Sequence, residues 1–269
     1  MIIPIIKLRP LFKMAGGKYY LARHIISHFP ANYTDLKFAE LCGGSASVLL
    51  NKSPSQNEVY NDIDPQTTNI FYCLKHKTND FISLIESAVY SEKTFKEASK
   101  TPFLYGSVES AVAELFLRRM SRGGLKKHFS WSNRLRGGRP EGENAFETFK
   151  SLLPLMSERL KNIEISCSDV IDAINLHDDK EILFYLDPPY VHSTRTSKNM
   201  YEYEMTNEKN EILGETLNSI KGKAIISGYD CQLYQKLYKN WRCVSKSVKN
   251  NAGQNKIKSS RTECLWLNY

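Results

Sequence analysis

The chain has no CxxC pair and no Cys/His cluster at zinc-ligand spacing; its six cysteines are scattered at positions 42, 73, 167, 231, 243 and 264. That spacing argues against a metal site, and the apolar setting of several of the six reads as buried free thiols of a reducing, cytoplasmic compartment. The amino-terminal MIIPIIKLRP is a short strand-like stretch interrupted by Pro4 and Lys7, without a small-residue cleavage site. It reads as neither a signal peptide nor a membrane span. No internal repeat is visible, and the dinucleotide fingerprint GxGxxG is missing, which argues against a nicotinamide oxidoreductase. Acidic residues are the scarcer charge, 29 against 37 Lys and Arg, and the resulting net +8 points toward a polyanionic partner.

What the chain does contain is organised around ILFYLDPPY, residues 182–190. An unbroken apolar run without alternation is a strand buried on both faces, as in a parallel sheet. Two prolines stop it at once and hold Asp187 in extended backbone at the carboxyl end, the edge where open α/β sheets bind ligands. An ordinary strand followed by a Pro-Pro turn is the plainer alternative.

Upstream, Gly16-Gly17-Lys18 precedes an amphipathic helix carrying Leu21, Ile25, Ile26 and Phe29. A strand at 36–41 leads through Cys42-Gly43-Gly44-Ser45-Ala46-Ser47 into a helix at Val48-Leu49-Leu50, the strand, glycine turn, helix arrangement of nucleotide-like cofactor sites. A second strand, 58–61, ends at Asp62, placed to accept hydrogen bonds from ribose hydroxyls; Asp62 and Asp64 would serve equally as helix caps. Helical periodicity follows at 67–74 and 80–89.

Between about residues 91 and 160 the character changes. The segment RRMSRGGLKKHFSWSNRLRGGRP gathers Arg118, Arg119, Arg122, Lys126, Lys127, Arg134, Arg136 and Arg139 around Phe129 and Trp131. Basic groups interleaved with aromatics suit a nucleic-acid backbone with base contacts, although a solvated basic insertion has the same composition. The αβ pattern resumes with a strand at 163–167, Asp169, a helix at 170–176 and the DPPY strand. A long polar loop, VHSTRTSKNMYEYEM, comes next. Helices at 207–220 and 232–237, a strand from Ala224, and strands near 241–248 and 262–267 joined by a hairpin loop, NNAGQNKIKSS, complete the chain.

An exocyclic amine on adenine is a weak nucleophile because its lone pair is delocalised into the ring. Two acceptors, the Asp187 carboxylate and the Pro188 carbonyl, can hold both amine hydrogens and turn that lone pair toward an electrophile, while Tyr190 offers a face to an unstacked base. An activated methyl donor supplies such an electrophile. None of the ten prolines is followed by cysteine, which argues against cytosine-C5 methylation by a Pro-Cys nucleophile.

Through KMAGGKYYL, FAELCGGSASVLLNK, VYNDIDP, LDPPY, the STRTS and YEYEM segments, ISGYD and RTECLWLN, the chain resembles the DNA adenine-N6 methyltransferases of the Dam-like group, in particular their phage-encoded members. The resemblance implies a seven-stranded Rossmann-like, S-adenosylmethionine-dependent sheet formed by residues 1–90 and 160–269. Residues 91–159 would be an inserted, mainly helical target-recognition region acting on double-stranded DNA; the chemistry calls for no metal, and a monomer is compatible with the sequence. The resemblance further implies that Met14 and Lys18 help hold the methionine and adenine ends of the cofactor, with Glu40 and Gly44 in the cofactor turn. Asp62 would bind the ribose and Asp169 lie near the adenine. Asp187 would close the cofactor site and bind the target amine, together with Pro188, Pro189 and Tyr190. Met14 stands where an aromatic residue is common in that group, and Glu40-Leu41-Cys42 stands where it usually carries EPF.

Overall fold

The computed structural model describes residues 8–14, 16–136, 138–194, 202–249 and 260–269. The first seven residues of the amino-terminal strand-like stretch, most of the STRTS segment and nearly all of the NNAGQNKIKSS loop lie outside them.

Seven strands form one sheet: β1 (Lys37–Leu41), β2 (Glu58–Asn61), β5 (Ile163–Ser166), β6 (Ile182–Leu186), β7 (Lys223–Tyr229), β8 (Arg242–Lys249) and β9 (Ser260–Leu267). A separate two-stranded hairpin pairs β3 (Leu135–Arg136) with β4 (Arg139–Pro140). The helices are α1 (Ala22–Ile26), α2 (Pro65–His76), α3 (Thr78–Glu86), α4 (Glu92–Ala98), α5 (Val108–Arg119), α6 (Glu141–Lys150), α7 (Leu153–Leu160), α8 (Val170–His177), α9 (Asn207–Ser219) and α10 (Gln232–Leu237).

The sheet order is β5-β2-β1-β6-β7-β9-β8, parallel except that β9 runs against both of its neighbours. β2 and β6 are buried at every position, because helices cover both faces and leave no polar side to the strand. Alternate residues still part to opposite faces. Leu183 and Tyr185 join Phe38, Tyr60 and Phe71 on one side, whereas Ile182, Phe184 and Leu186 join Ile174, Leu213 and Leu217 on the other.

Strand order reverses between β1 and β6, and their register sets Leu41 beside Leu186. The loops leaving these two strands therefore begin side by side, the position at which open α/β sheets take their ligands. Asp187 and the Cys42 turn are neighbours for this reason.

Two local outcomes differ from the sequence expectation. The helix at 48–50 is instead a run of turns, held by Leu50 N to Ala46 O and Lys52 N to Val48 O, both 3.0 Å. The helix after Lys18 is a short one, Ala22–Ile26. The region 91–159 is mainly helical, and its α5 contributes Ala111, Val112, Leu115 and Phe116 to the same core as Phe38 and Tyr60, with Phe146, Phe149 and Met156 of α6 and α7 alongside. Those helices extend the core, and the exposed arginines of the region, Arg122, Arg134, Arg136 and Arg139, all lie between α5 and α6.

Candidate active site

The glycine turn after β1 is built by β2. Gly43 N donates to Asn61 O at 2.8 Å, the Tyr60 hydroxyl donates to Gly44 O at 2.7 Å, and Gly44 N donates to Asp62 Oδ2, also at 2.7 Å. Two glycines are needed for two reasons: a Cβ on Gly43 would sit 2.4 Å from the Tyr60 ring, and Gly44 has φ +50° with the Met14 sulfur 2.5 Å from where its Cβ would be. Met14 thus lays a thioether on the turn where an aromatic ring would otherwise lie.

Asp62 also accepts from Asp64 N at 2.9 Å. Each carboxylate oxygen retains a lone pair beyond its one backbone bond, enough for two ribose hydroxyls. Burial lifts its pKa to about 6 against these backbone donors. Glu40 is placed differently: its carboxylate is spent on Val48 N and Leu49 N, and burial raises it to about 8. It braces the turn from behind, although it also borders the cavity.

Asp187 leaves β6 directly into that cavity. Its Oδ2 accepts from Lys18 Nζ at 2.9 Å, and its Oδ1 is ion-paired with the same nitrogen at 2.8 Å. Burial raises its pKa, and Lys18 only partly offsets this. Lys18 is itself buried, donates to Gly16 O at 2.9 Å and sits 4.8 Å over the Tyr190 ring. Pro188 is buried and Pro189 lines the cavity. Tyr190 is buried as well; its hydroxyl donates to Glu263 Oε2 at 2.6 Å and its ring meets Tyr229 edge-on, centroids 4.6 Å apart.

One cavity of about 440 Å³ has Met14, Lys18, Glu40, Gly44, Asp62, Asp169, Asp187 and Pro189 on its wall, and the buried Pro188 and Tyr190 are not among its described lining residues. At one end Asp169 caps α8 by accepting from Ile171 N at 2.9 Å and is paired with Lys209 at 2.6 Å, which holds its carboxyl below the ordinary range despite burial. Ile63, Tyr203 and Met205 supply apolar surface there. Sequence reasoning passed over Lys209, Ile63, Asn61 and Glu263. Glu263 alone left a usable signal, as an acid inside the apolar strand ECLWL.

The basic residues divide. Arg118 is buried in an ion-pair chain, Nη2 to Asp64 at 3.0 Å and Nε to Glu114 at 2.6 Å, with Lys126 reaching Glu114 at 3.0 Å. Arg119 donates to Leu11 O at 2.6 Å and stacks 3.7 Å over Phe149. Both were expected at the nucleic acid; helical spacing instead buries Arg118, where it balances two carboxylates, and leaves Arg119 half-buried against Phe149. Arg122, Lys127, Arg134, Arg136 and Trp131 are exposed, the last two arginines beside or within the β3-β4 hairpin. Lys126 and Lys127 also border the cavity, so the start of this basic segment walls the site.

Over nearly its whole length the chain is similar to the DNA adenine methylase of Escherichia coli (strain K12), 26% identical over 273 residues that cover 93% of this chain and 92% of that one. It is likewise similar to the DNA adenine methylase of Haemophilus influenzae, 24% identical over 286 residues (97% and 94% covered), and to that of Salmonella typhi, 25% identical over 272 residues (93% and 92%). The family model of the D12 class N6 adenine-specific DNA methyltransferases matches residues 14–252, which include the glycine turn, Asp62, the basic segment and DPPY, and the chain belongs to that family.

Proposed function

We propose that this methyltransferase binds S-adenosylmethionine in the cavity between the glycine turn and Asp187, and that it methylates the N6 amine of an adenine turned out of duplex DNA. The observation that carries the reading is the Asp187 carboxylate at the end of β6, held by Lys18 on the wall of the same cavity as the Asp62 carboxylate, which keeps acceptors for two hydroxyls. The residues fit the cofactor: Asp62 has acceptors for two hydroxyls, and Ile63, Tyr203 and Met205 offer apolar surface to its adenine. When bound, the cofactor supplies an electrophilic methyl.

The protein's part is to hold the amine. Asp187 and the Pro188 carbonyl accept its two hydrogens and rotate the lone pair out of conjugation. Lys18 now stands where the base is to go, against the Asp187 carboxylate and over the Tyr190 ring, so the arriving amine replaces a cationic donor with a neutral one. The exposed Arg122, Lys127, Arg134 and Arg136, with Lys126 at the cavity rim, contact the DNA, mostly at phosphates. Flipping costs a few kcal/mol, roughly what stacking on an aromatic face returns, about 1–3 kcal/mol per base.

Labelled methyl transfer from S-adenosylmethionine tests the reading. Wild-type protein should label duplex DNA in preference to RNA, and Asp187→Ala should lose at least about 100-fold in rate. Equal activity in that variant, or label confined to RNA, would sink the proposal.

A further inference from the structure

Glu263 belongs to neither the DPPY motif nor the glycine turn, and it comes from β9, a strand that runs opposite to the one carrying Asp187. In the β7-β9 ladder it stands directly across from Tyr229. That single register position makes both contacts that orient Tyr190: the Tyr229 ring packs edge-on at 4.6 Å and 77°, and the Glu263 carboxylate takes the phenolic proton at 2.6 Å. On β8 the residue facing Glu263 is Lys246, an exposed cation available for an ordinary cross-strand ion pair. The Glu263 carboxylate nevertheless reaches the phenol.

From this geometry we infer that Glu263 is a positioning residue of the methyl-transfer reaction, fixing the plane of Tyr190 so that the flipped base lies with its amine against Asp187. The inference rests on the reading of Tyr190 as the stacking platform. A phenol has one proton and two carboxylates nearby; by accepting it, Glu263 leaves the acceptors of Asp187 to the substrate amine. A ring free to tilt would still stack but would present the amine at the wrong angle, so the loss falls on turnover more than on cofactor binding.

The test is a double-mutant cycle between Glu263→Ala and Tyr190→Phe, read as kcat and KM for labelled methyl transfer to plasmid DNA, with Glu263→Gln as the conservative control. Glu263→Ala should lower kcat about 10- to 100-fold, leave the cofactor dissociation constant in calorimetry unchanged, and add little to the loss in Tyr190→Phe. Glu263→Gln keeps a carbonyl acceptor and should recover most of the rate. Losses that multiply in the double variant, a Glu263→Ala enzyme as fast as wild type, or a Glu263→Gln enzyme no better than the alanine variant would each overturn the inference. Wild-type protein that moves no methyl group to adenine would fail the parent reading instead. In that event the same cycle on thermal unfolding of the cofactor-free protein still reports whether Glu263 and Tyr190 are coupled, and additive shifts would count against the link itself.

Discussion

Asp62 holds two backbone N–H groups, and with its pKa lifted to about 6 by burial it changes charge close to neutral pH. Ribose hydroxyls bond better to the carboxylate than to the acid, so the cofactor favours the ionised form. Affinity should be flat above pH 6 and weaken by up to about tenfold per unit below it, a slope that Asp62→Asn abolishes; calorimetric titration from pH 5 to 8 reads this directly. Glu40 behaves in the opposite sense for stability. Its folded pKa near 8 exceeds its unfolded value near 4.5, so the native state holds a proton that the unfolded chain has lost. The stability it contributes is complete below the unfolded value and disappears as pH rises through the folded one. Glu40→Gln, neutral throughout, has a single acceptor for the Val48 and Leu49 donors and should be less stable than wild type at pH 5. That deficit should shrink steadily toward pH 8 in thermal melts, and a constant deficit would show that Glu40 does not titrate in this window.

At the scale of elements, α5 links the cofactor site to the basic segment. Arg118 near its end joins Asp64, two residues from Asp62, to Glu114, and Glu114 holds Lys126 at the start of that segment. Removing the guanidinium leaves two buried carboxylates without their main partner, so Arg118→Met should cost about 3–5 kcal/mol of stability in chemical denaturation. The β3-β4 hairpin behaves otherwise, since Arg134 and Arg136 are exposed and make no part of the core. Replacing either with Ala should leave the melting temperature in place and weaken DNA binding, reducing the slope of log affinity against log salt by about 0.9 for each phosphate that is no longer neutralised. An unchanged salt slope would mean that the hairpin stays off the DNA.

For the molecule as a whole, what could be read in the sequence was what local pattern encodes. ILFYL announces a doubly buried strand because both faces are covered, and two prolines mark its end, so Asp187 could be placed before any coordinates. The fully buried β2 was legible for the same reason, whereas the largely exposed β8 was read from its pairing as a hairpin with β9. Local pattern says nothing of which helix face turns inward within a basic run, and so Arg118 reads like Arg134 although it is buried, and Arg119 although it is half-buried and bonded to Leu11 O. Nor does it reveal a partner brought by a strand more than 70 residues away: Glu263 meets Tyr190 only through the antiparallel β7-β9 register, a non-local fact. The position of Lys18 on Asp187, residues 169 apart in sequence, is of the same kind. The central claim, that this site clamps an adenine amine, is tested most directly by nucleoside analysis of duplex DNA treated with the wild-type protein and S-adenosylmethionine. N6-methyladenine as the sole new nucleoside is the predicted result; N4-methylcytosine, or unmodified DNA, would contradict it.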